Sequence, residues 1–440
     1  MPKILIVGGG YAGFYTARKL EKHLAKGEAE VTLIDPLPYM TYQPFLPEVV
    51  AGSIEARHAV VSHRRHLRKT NFVSGTVTFV DHAKKTVTVE LLGAGKKKIS
   101  YDQIVVTAGA VSRTFPIPGV AENAIGLKNI EEAVEVRNRI LANFDKAANL
   151  PAGPARDRLL TFVVVGGGFA GIEAFAEMRS LASYLLRYYP TLTFDDTHFH
   201  LIEAMGRIMP EVSQKTSEWV IANLDRRGAR VHLNTQLKSA VKGVVELSTG
   251  ETFASDVIVW TAGVMAHPYV RNTDFPVDDR GRITAKATLQ VAEGDEVVPG
   301  AWTAGDVSAV PDLSGFGVGG YCVPNAQHAV RQAKLLAKNI VANLRGEGVK
   351  EYFHKPMGAV AGLGIGVGVY QWKGLAIKGL IAWFMHRGYH GLAVPTWERK
   401  IRVFAGWFWN LVLRRDIVSN SAIKGPRVQF ETYASKSTKK

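Results

Sequence analysis

Six glycines and two acids in this chain are spaced for dinucleotide chemistry. Gly8, Gly10 and Gly13 lie in KILIVGGGYAG, and Gly166, Gly168 and Gly171 lie in TFVVVGGGFAG, 158 residues further on. In such a loop the first glycine permits a tight turn, the second admits a pyrophosphate to the backbone, and the third lets helix and strand pack closely. The diphosphate then meets the free N–H groups and positive end of the helix dipole. Each copy leads to a strand ending in a carboxylate, Asp35 in VTLID and Glu203 in HLIEA. These acids follow the third glycine by 22 and 32 residues, the longer gap holding an extended aromatic helix. A carboxylate there accepts hydrogen bonds from a ribose hydroxyl pair and repels a 2′-phosphate, which favours NADH over NADPH. Arg207, close to Glu203, works against that preference. Two such sites in one chain imply two dinucleotides held at once, and electron transfer between them.

Other residues read less specifically. Asp306 in TAGDV suits the ribityl chain of a flavin, or equally a turn or helix-capping acid. Glu173, in the second fingerprint's helix, reads first as an acid complementing the helix dipole. Lone histidines such as His328 and His386 read as structural or surface groups, and no metal site is expected. Cys322 is the only cysteine, so an intramolecular disulfide and a redox dithiol are both excluded, and a reducing compartment is expected.

The elements that must position these residues follow from pattern. The fold class is α/β: two Rossmann-like dinucleotide-binding domains, the second inserted in the first, plus a C-terminal amphipathic helical membrane-docking region. Strand 2–7, a helix over about 11–26 and the strand VTLID make the opening unit. NFVSGTVTFV and KKTVTVELL alternate as an antiparallel hairpin. YDQIVVTAGA and SDVIVWTAGV repeat one another, a strand ending in TAG in each half. FPIPG at 115–119 marks a domain crossing, and helices are expected at about 129–148 and 324–345. The domains are therefore 1–118 and 265–350 for the first nucleotide domain, 119–264 for the second, and 351–440 for a separate C-terminal region.

At 440 residues, 47% hydrophobic and 21% charged, the chain has the bulk of a folded protein of two or three domains. Its net charge of +15 is uneven: residues 371–440 carry 13 Lys/Arg against 3 Asp/Glu, with five of the eight tryptophans. Basic residues beside interfacial aromatics suit an anionic lipid surface better than nucleic acid. The segments GLAIKGLIAWFMHRGYHG and RKIRVFAGWFWNLVLRR are too short to span a bilayer and suited to lie in its interface. Packing on the body or a dimer interface is the competing reading. No signal peptide is read before the first strand, and the uncharged PMGAVAGLGIGVGVYQW fits a buried strand or loop.

These motifs together resemble the two-dinucleotide-binding flavoproteins and, within them, the type II NADH:quinone oxidoreductases. The resemblance covers about residues 2–345, through GGGYAG, YMTYQPFLPEVVAG, TAGA, GGGFAGIEAFAEM, IEAMGRIMPE, VIVWTAGV, TAGDVSAV and NAQHAVRQA. It implies FAD at the first fingerprint, with Asp35 on the adenosine ribose and Asp306 on the ribitol, and NADH at the second, with Glu203 on the ribose. It makes Ala108, Gly109, Gly263, Gly305 and Ala326 further cofactor-binding positions. It implies that Glu173 lies near the nicotinamide–flavin junction. The family's quinone-linked AQxAxQ motif reads AQHAVRQ here: Ala326, Gln327 and Ala329 fit, Arg331 stands where the second glutamine belongs, and Gln332 follows it. The implied activity is FAD-dependent NADH oxidation by a membrane quinone, with menaquinone the expected type, without proton pumping. The implied place is peripheral, on the cytoplasmic face of a bacterial membrane, with a homodimer allowed. Sulfide:quinone oxidoreductases and disulfide reductases need paired cysteines that this chain lacks. A reductase of a soluble carrier and an NADH-sensing flavoprotein resembling apoptosis-inducing factor remain as alternatives.

Overall fold

The computed structural model describes residues 1–419 and Arg427, so the end of the basic C-terminal stretch lies outside the described residues. The chain forms two compact units, 1–42 with 60–113 and 264–357, and 43–59 with 114–263 and 358–440.

The first unit is built on an eight-stranded sheet. At its centre Lys3–Val7 pairs in parallel with Glu30–Asp35 on one side and Gln103–Val106 on the other. Val-, Ile- and Leu-rich strands of this kind are buried on both faces, which is why they read as continuous apolar runs. Leu5, Val7, Ile34, Ile104 and Val106 join one core with Val77, Val87 and Val89 of the antiparallel addition. That addition, Thr70–Asp81 against Thr86–Leu91, is the hairpin its alternation predicted. Helix Ala326–Leu344 follows the loop carrying Asp306.

The second unit repeats the plan on a five-stranded sheet, where Thr161–Val165 lies between His198–Ile202 and Val257–Trp260, all parallel. Helix Phe169–Leu185 starts at the second fingerprint, and helix Ile130–Ala147 begins with an Asn129–Glu132 capping box. The uncharged glycine-rich stretch forms strands Ala359–Gly362 and Gly368–Trp372, an antiparallel pair with Leu375–Lys378 beyond it.

The C-terminal region differs from its sequence reading as a separate appendage. Residues 358–440 group with the second unit, together with the short segment 43–59. The reason lies in its aromatics and cations. Trp407 of helix Trp397–Val412 donates its indole N–H to the Glu48 carboxylate at 2.7 Å, and Arg387 of helix Leu380–Ala393 approaches the same oxygen at 3.1 Å. Asn410 donates to the carbonyl of Ser53 at 2.8 Å. These side chains look like surface groups in the sequence, yet Trp407 and Glu48 are buried.

Candidate functional site: two matching nucleotide cradles

Each unit carries the same cradle, alike bond for bond. In the first, Gly8 N–H donates to the Ile34 carbonyl at 2.9 Å, and in the second Gly166 N–H donates to Ile202 at 2.8 Å. The Thr107 hydroxyl donates to the carbonyls of Val7 and Gly8 at 3.1 and 2.9 Å. Thr261 does the same to Val165 and Gly166, at 2.9 and 3.1 Å. The threonine of each TAG turn thus fastens the strand that ends beside the glycine loop, a role the sequence motif alone does not reveal. Ala108 and Gly109 follow Thr107, and Gly263 stands two residues after Thr261, with φ near +70° at Gly109 and +116° at Gly263.

The glycines divide by what a side chain would meet. A Cβ on Gly13 would sit 1.8 Å from the Gly8 carbonyl oxygen, and one on Gly171 would sit 2.0 Å from that of Gly166. These two are required by the protein's own packing. Gly10 and Gly168 have ordinary φ values near −66° and −70°, and a Cβ on either meets no protein atom within 4 Å. Neither backbone sterics nor the protein's own packing requires glycine there.

The helices behind these glycines point the same way. Those starting at Ile130, Gln214, Ala326 and Trp397 are capped by the side chains of Asn129, Ser213, Asn325 and Thr396. The helices after Gly10 and Gly168 have no side-chain cap. A helix N-terminus left bare beside a glycine loop is suited to a diphosphate.

Both acids are held in the same way at the edge of their glycine loops. Asp35 accepts from Gly9 N–H at 2.5 Å and from Leu37 N–H at 2.7 Å. Glu203 accepts from Gly167 N–H at 2.6 Å and from Met205 N–H at 2.8 Å. In each, one oxygen is tied into the glycine loop and the other into the turn beyond the strand. Burial raises the Asp35 pKa above the ordinary carboxylate value, opposed by those two N–H groups. The Arg207 guanidinium is engaged with the Val212 carbonyl.

The remaining candidates fall into two groups. In the first unit Asp306 lines a small pocket with Arg282, Cys322, His328 and Gln332. Gln332, the glutamine that follows Arg331 in the motif, is buried and accepts from Gly305 N–H at 2.8 Å, so it fixes the turn that presents Asp306. Ala326 and Gln327 open the helix, and Arg331, one turn on, donates to the Gln327 carbonyl at 3.1 Å.

In the second unit Glu173 does not serve the helix dipole as an exposed acid. It is buried, accepts from Gly362 N–H at 2.9 Å, and lies 3.0 Å from His386 Nε2. His386 is therefore buried and site-linked, not a surface histidine. Burial pushes Glu173 up to about 7 and His386 and His390 down to about 4 and 3, so the histidines are neutral near pH 7. An acid whose folded pKa exceeds its unfolded value binds its proton more tightly when folded. Its contribution to stability is full below about pH 4.5 and is lost as pH rises through 7. Glu173→Gln should therefore flatten the fall in thermal midpoint between pH 5 and 8 (a range set about that pKa). Equal slopes in both proteins would refute the burial-raised acid.

Two parallel sheets, each with a helix N-terminus uncapped beside a glycine loop and an acid tied into that loop, define the class of the two-dinucleotide oxidoreductases. Residues 2–333 match the pyridine nucleotide-disulphide oxidoreductase family. The chain is 30% identical over 395 residues to the type II NADH:quinone oxidoreductase of Staphylococcus aureus, covering 88% of this chain and 93% of that protein. It is 28% identical over 422 residues to the type II NADH:quinone oxidoreductase Ndh of Mycobacterium tuberculosis, covering 92% and 87%. The fold also matches a structure of NDH2 from Plasmodium falciparum in complex with NADH, with a TM-score of 0.85 at 19% identity over 95% and 99% of the chains. The chain belongs to the pyridine nucleotide-disulphide oxidoreductases and, among them, to the type II NADH:quinone oxidoreductases.

Proposed function

We propose that this protein uses bound FAD to oxidise NADH and reduce a membrane quinone, menaquinone being the expected acceptor, without pumping protons. The observation that carries the reading is the duplication of the cradle, acid included, within one chain. When bound, FAD supplies the two-electron chemistry, taking a hydride from NADH and yielding its electrons to the quinone. The balance is NADH + H⁺ + quinone → NAD⁺ + quinol.

The residues bind and orient. The backbone at Gly8–Gly10 and the bare N-terminus at Tyr11 seat the pyrophosphate of FAD, with Asp35 on its ribose. Gln332 holds Gly305 so that Asp306 meets the ribityl chain. Gly166–Gly168 and Glu203 do the equivalent for NADH. Gln327 and Arg331 offer N–H donors suited to a quinone carbonyl. The Glu173 carboxyl, with a pKa of about 7, holds or releases a proton at physiological pH. No helix among the described residues is long and apolar enough to cross a membrane.

Membrane attachment is supported by one helix face. Trp397, Ile401, Phe404, Phe408 and Leu411 recur every three or four residues along Trp397–Val412 and are exposed, while Val403 and Trp407 on the other side are buried. Such a stripe, with Arg402 and Arg414 beside it, suits the interface of an anionic leaflet, here the cytoplasmic face. The pair Ile401→Glu and Phe408→Glu should move the protein from the membrane to the soluble fraction with its flavin retained; unchanged partition would refute docking by this face.

The test of function is a flavin spectrum of the purified protein, followed by NADH oxidation with and without a menaquinone analogue. Absence of flavin would overturn the reading, and flavin reduction without quinone turnover would transfer it to a soluble-carrier reductase or an NADH-sensing protein. Glu203→Ala should narrow the ratio of kcat/KM for NADH over NADPH about tenfold, by removing both the ribose acceptor and the repulsion of a 2′-phosphate. An unchanged ratio would remove Glu203 from the ribose.

A further inference from the structure

A second cluster of chemistry-bearing side chains lies in the second unit, away from the glycine loop. His200 of strand His198–Ile202 and His232 of strand Ala229–His232 lie on one face of adjacent parallel strands, whose register pairs Ile202 with His232. Their rings stack nearly parallel, 9° apart with centroids at 5.2 Å. The Nδ1 of His200 lies 3.0 Å from the Nε2 of His232. Glu251, just before strand Thr252–Ala254, brings a carboxylate oxygen within 3.8 Å of the Nδ1 of His232. One ligand atom from each of the three lies within 4.8 Å of the others.

From this geometry we propose that His200, His232 and Glu251 form a binding site for a divalent transition-metal ion of the zinc, cobalt or nickel kind.

Several features fit a cation of that class. Two metal–nitrogen bonds of about 2.1 Å at the tetrahedral angle span about 3.4 Å, so the two imidazole nitrogens, a hydrogen-bonded pair 3.0 Å apart, need open by only a few tenths of an ångström to share an ion. Two imidazoles with one carboxylate form a donor set that favours zinc, cobalt or nickel over calcium or magnesium, which take oxygen ligands. His200 is buried, and its ring is held by Phe253 stacked at a centroid distance of 4.0 Å. A ligand fixed in this way loses little freedom when the metal enters.

Glu251 is the adjustable member, its side chain 39% exposed and reached at 3.8 Å by the Arg230 guanidinium. The metal displaces Arg230 from this carboxylate, so Arg230 is a built-in competitor. Occupied, the site ties the hairpin Val244–Leu247 and Thr252–Ala254 to the parallel sheet, and metal should raise the thermal midpoint by mass action.

The test is a titration of the flavin-loaded full chain, freed of metal by a chelator, with Co²⁺, read by visible d–d absorption and by calorimetry. One Co²⁺ per chain, displaced by Zn²⁺, is expected. His232→Gln should abolish the absorption band, Glu251→Gln should weaken binding about tenfold, and Arg230→Gln should tighten it. Glu251→Gln, on an accessible side chain, should keep the parent's flavin content and NADH oxidation, which separates loss of metal from loss of fold. No saturable Co²⁺ binding in the parent protein, or equal binding in the His232 and Glu251 variants, would overturn the site and leave a structural histidine pair.

Discussion

Gly168→Ala is expected to lower kcat/KM for NADH about 100-fold, a change of about 2.7 kcal/mol, while flavin content and thermal midpoint stay at their parent values. At Gly168 the φ of −70° is one any residue adopts, and an added methyl meets nothing in the protein within 4 Å. The folded state therefore has no reason to change. In the proposed function the methyl would occupy the approach of a pyrophosphate to the uncapped N-terminus of helix Phe169–Leu185, where close N–H contact would supply the affinity. Gly171→Ala provides the contrast. Its Cβ would lie 2.0 Å from the Gly166 carbonyl oxygen, so that variant should lose the fold of the second unit itself. Gly10→Ala repeats the first experiment in the other cradle, with retained flavin as the readout. If Gly168→Ala left the NADH KM and kcat unchanged, the second cradle would not be the nicotinamide nucleotide site.

The loops and acids of the cradles were legible because they are local, whereas the threonines that fasten them, Thr107 and Thr261, come from about a hundred residues away. A glycine loop, the strand before it, the helix after it and an acid on the next strand lie within about forty residues, and each element follows from short-range pattern. Glu173 was not legible in this way. Its partners, Gly362 and His386, come from about 190 to 210 residues away, and no periodicity joins them. Arg331 and Gln332 show a finer limit. Adjacent residues on a helix point about 100° apart, so a glutamine displaced by one position cannot take over its neighbour's task. Gln332 faces inward and holds Gly305, whereas Arg331 lies on the outer side with its guanidinium near the Met357 sulfur at 3.5 Å. The departure from the AQxAxQ pattern is thus a real change of side chain at the position ascribed to the quinone. The tail was legible as an amphipathic helical region, but tryptophan and arginine counts cannot single out the side chains aimed at a buried carboxylate, as Trp407 and Arg387 are.

That distinction makes Glu48→Gln the variant expected to cost most stability among the polar substitutions, about 3 kcal/mol. Glu48 is buried and draws in two parts of the C-terminal region, the Trp407 indole at 2.7 Å and the Arg387 guanidinium at 3.1 Å. Glutamine keeps an oxygen for the indole but removes the negative charge, which leaves Arg387 half-enclosed between the rings of Trp383 and Trp407, at 4.3 and 5.0 Å, without its counter-ion. A buried charge deprived of its partner is far more costly than the pair is stabilising. Glu48→Gln combined with Arg387→Met should therefore recover most of the loss, so the two changes will be strongly non-additive. Thermal unfolding followed by tryptophan fluorescence reads both, since Trp383 and Trp407 flank the pair. A parent-like midpoint for Glu48→Gln, or additive losses in the double variant, would show that the carboxylate does not anchor this region. If the cycle behaves as expected, the same tail has two chemically opposed faces: one held to the second unit by a buried acid, the other an apolar stripe from Trp397 to Leu411 left open to solvent.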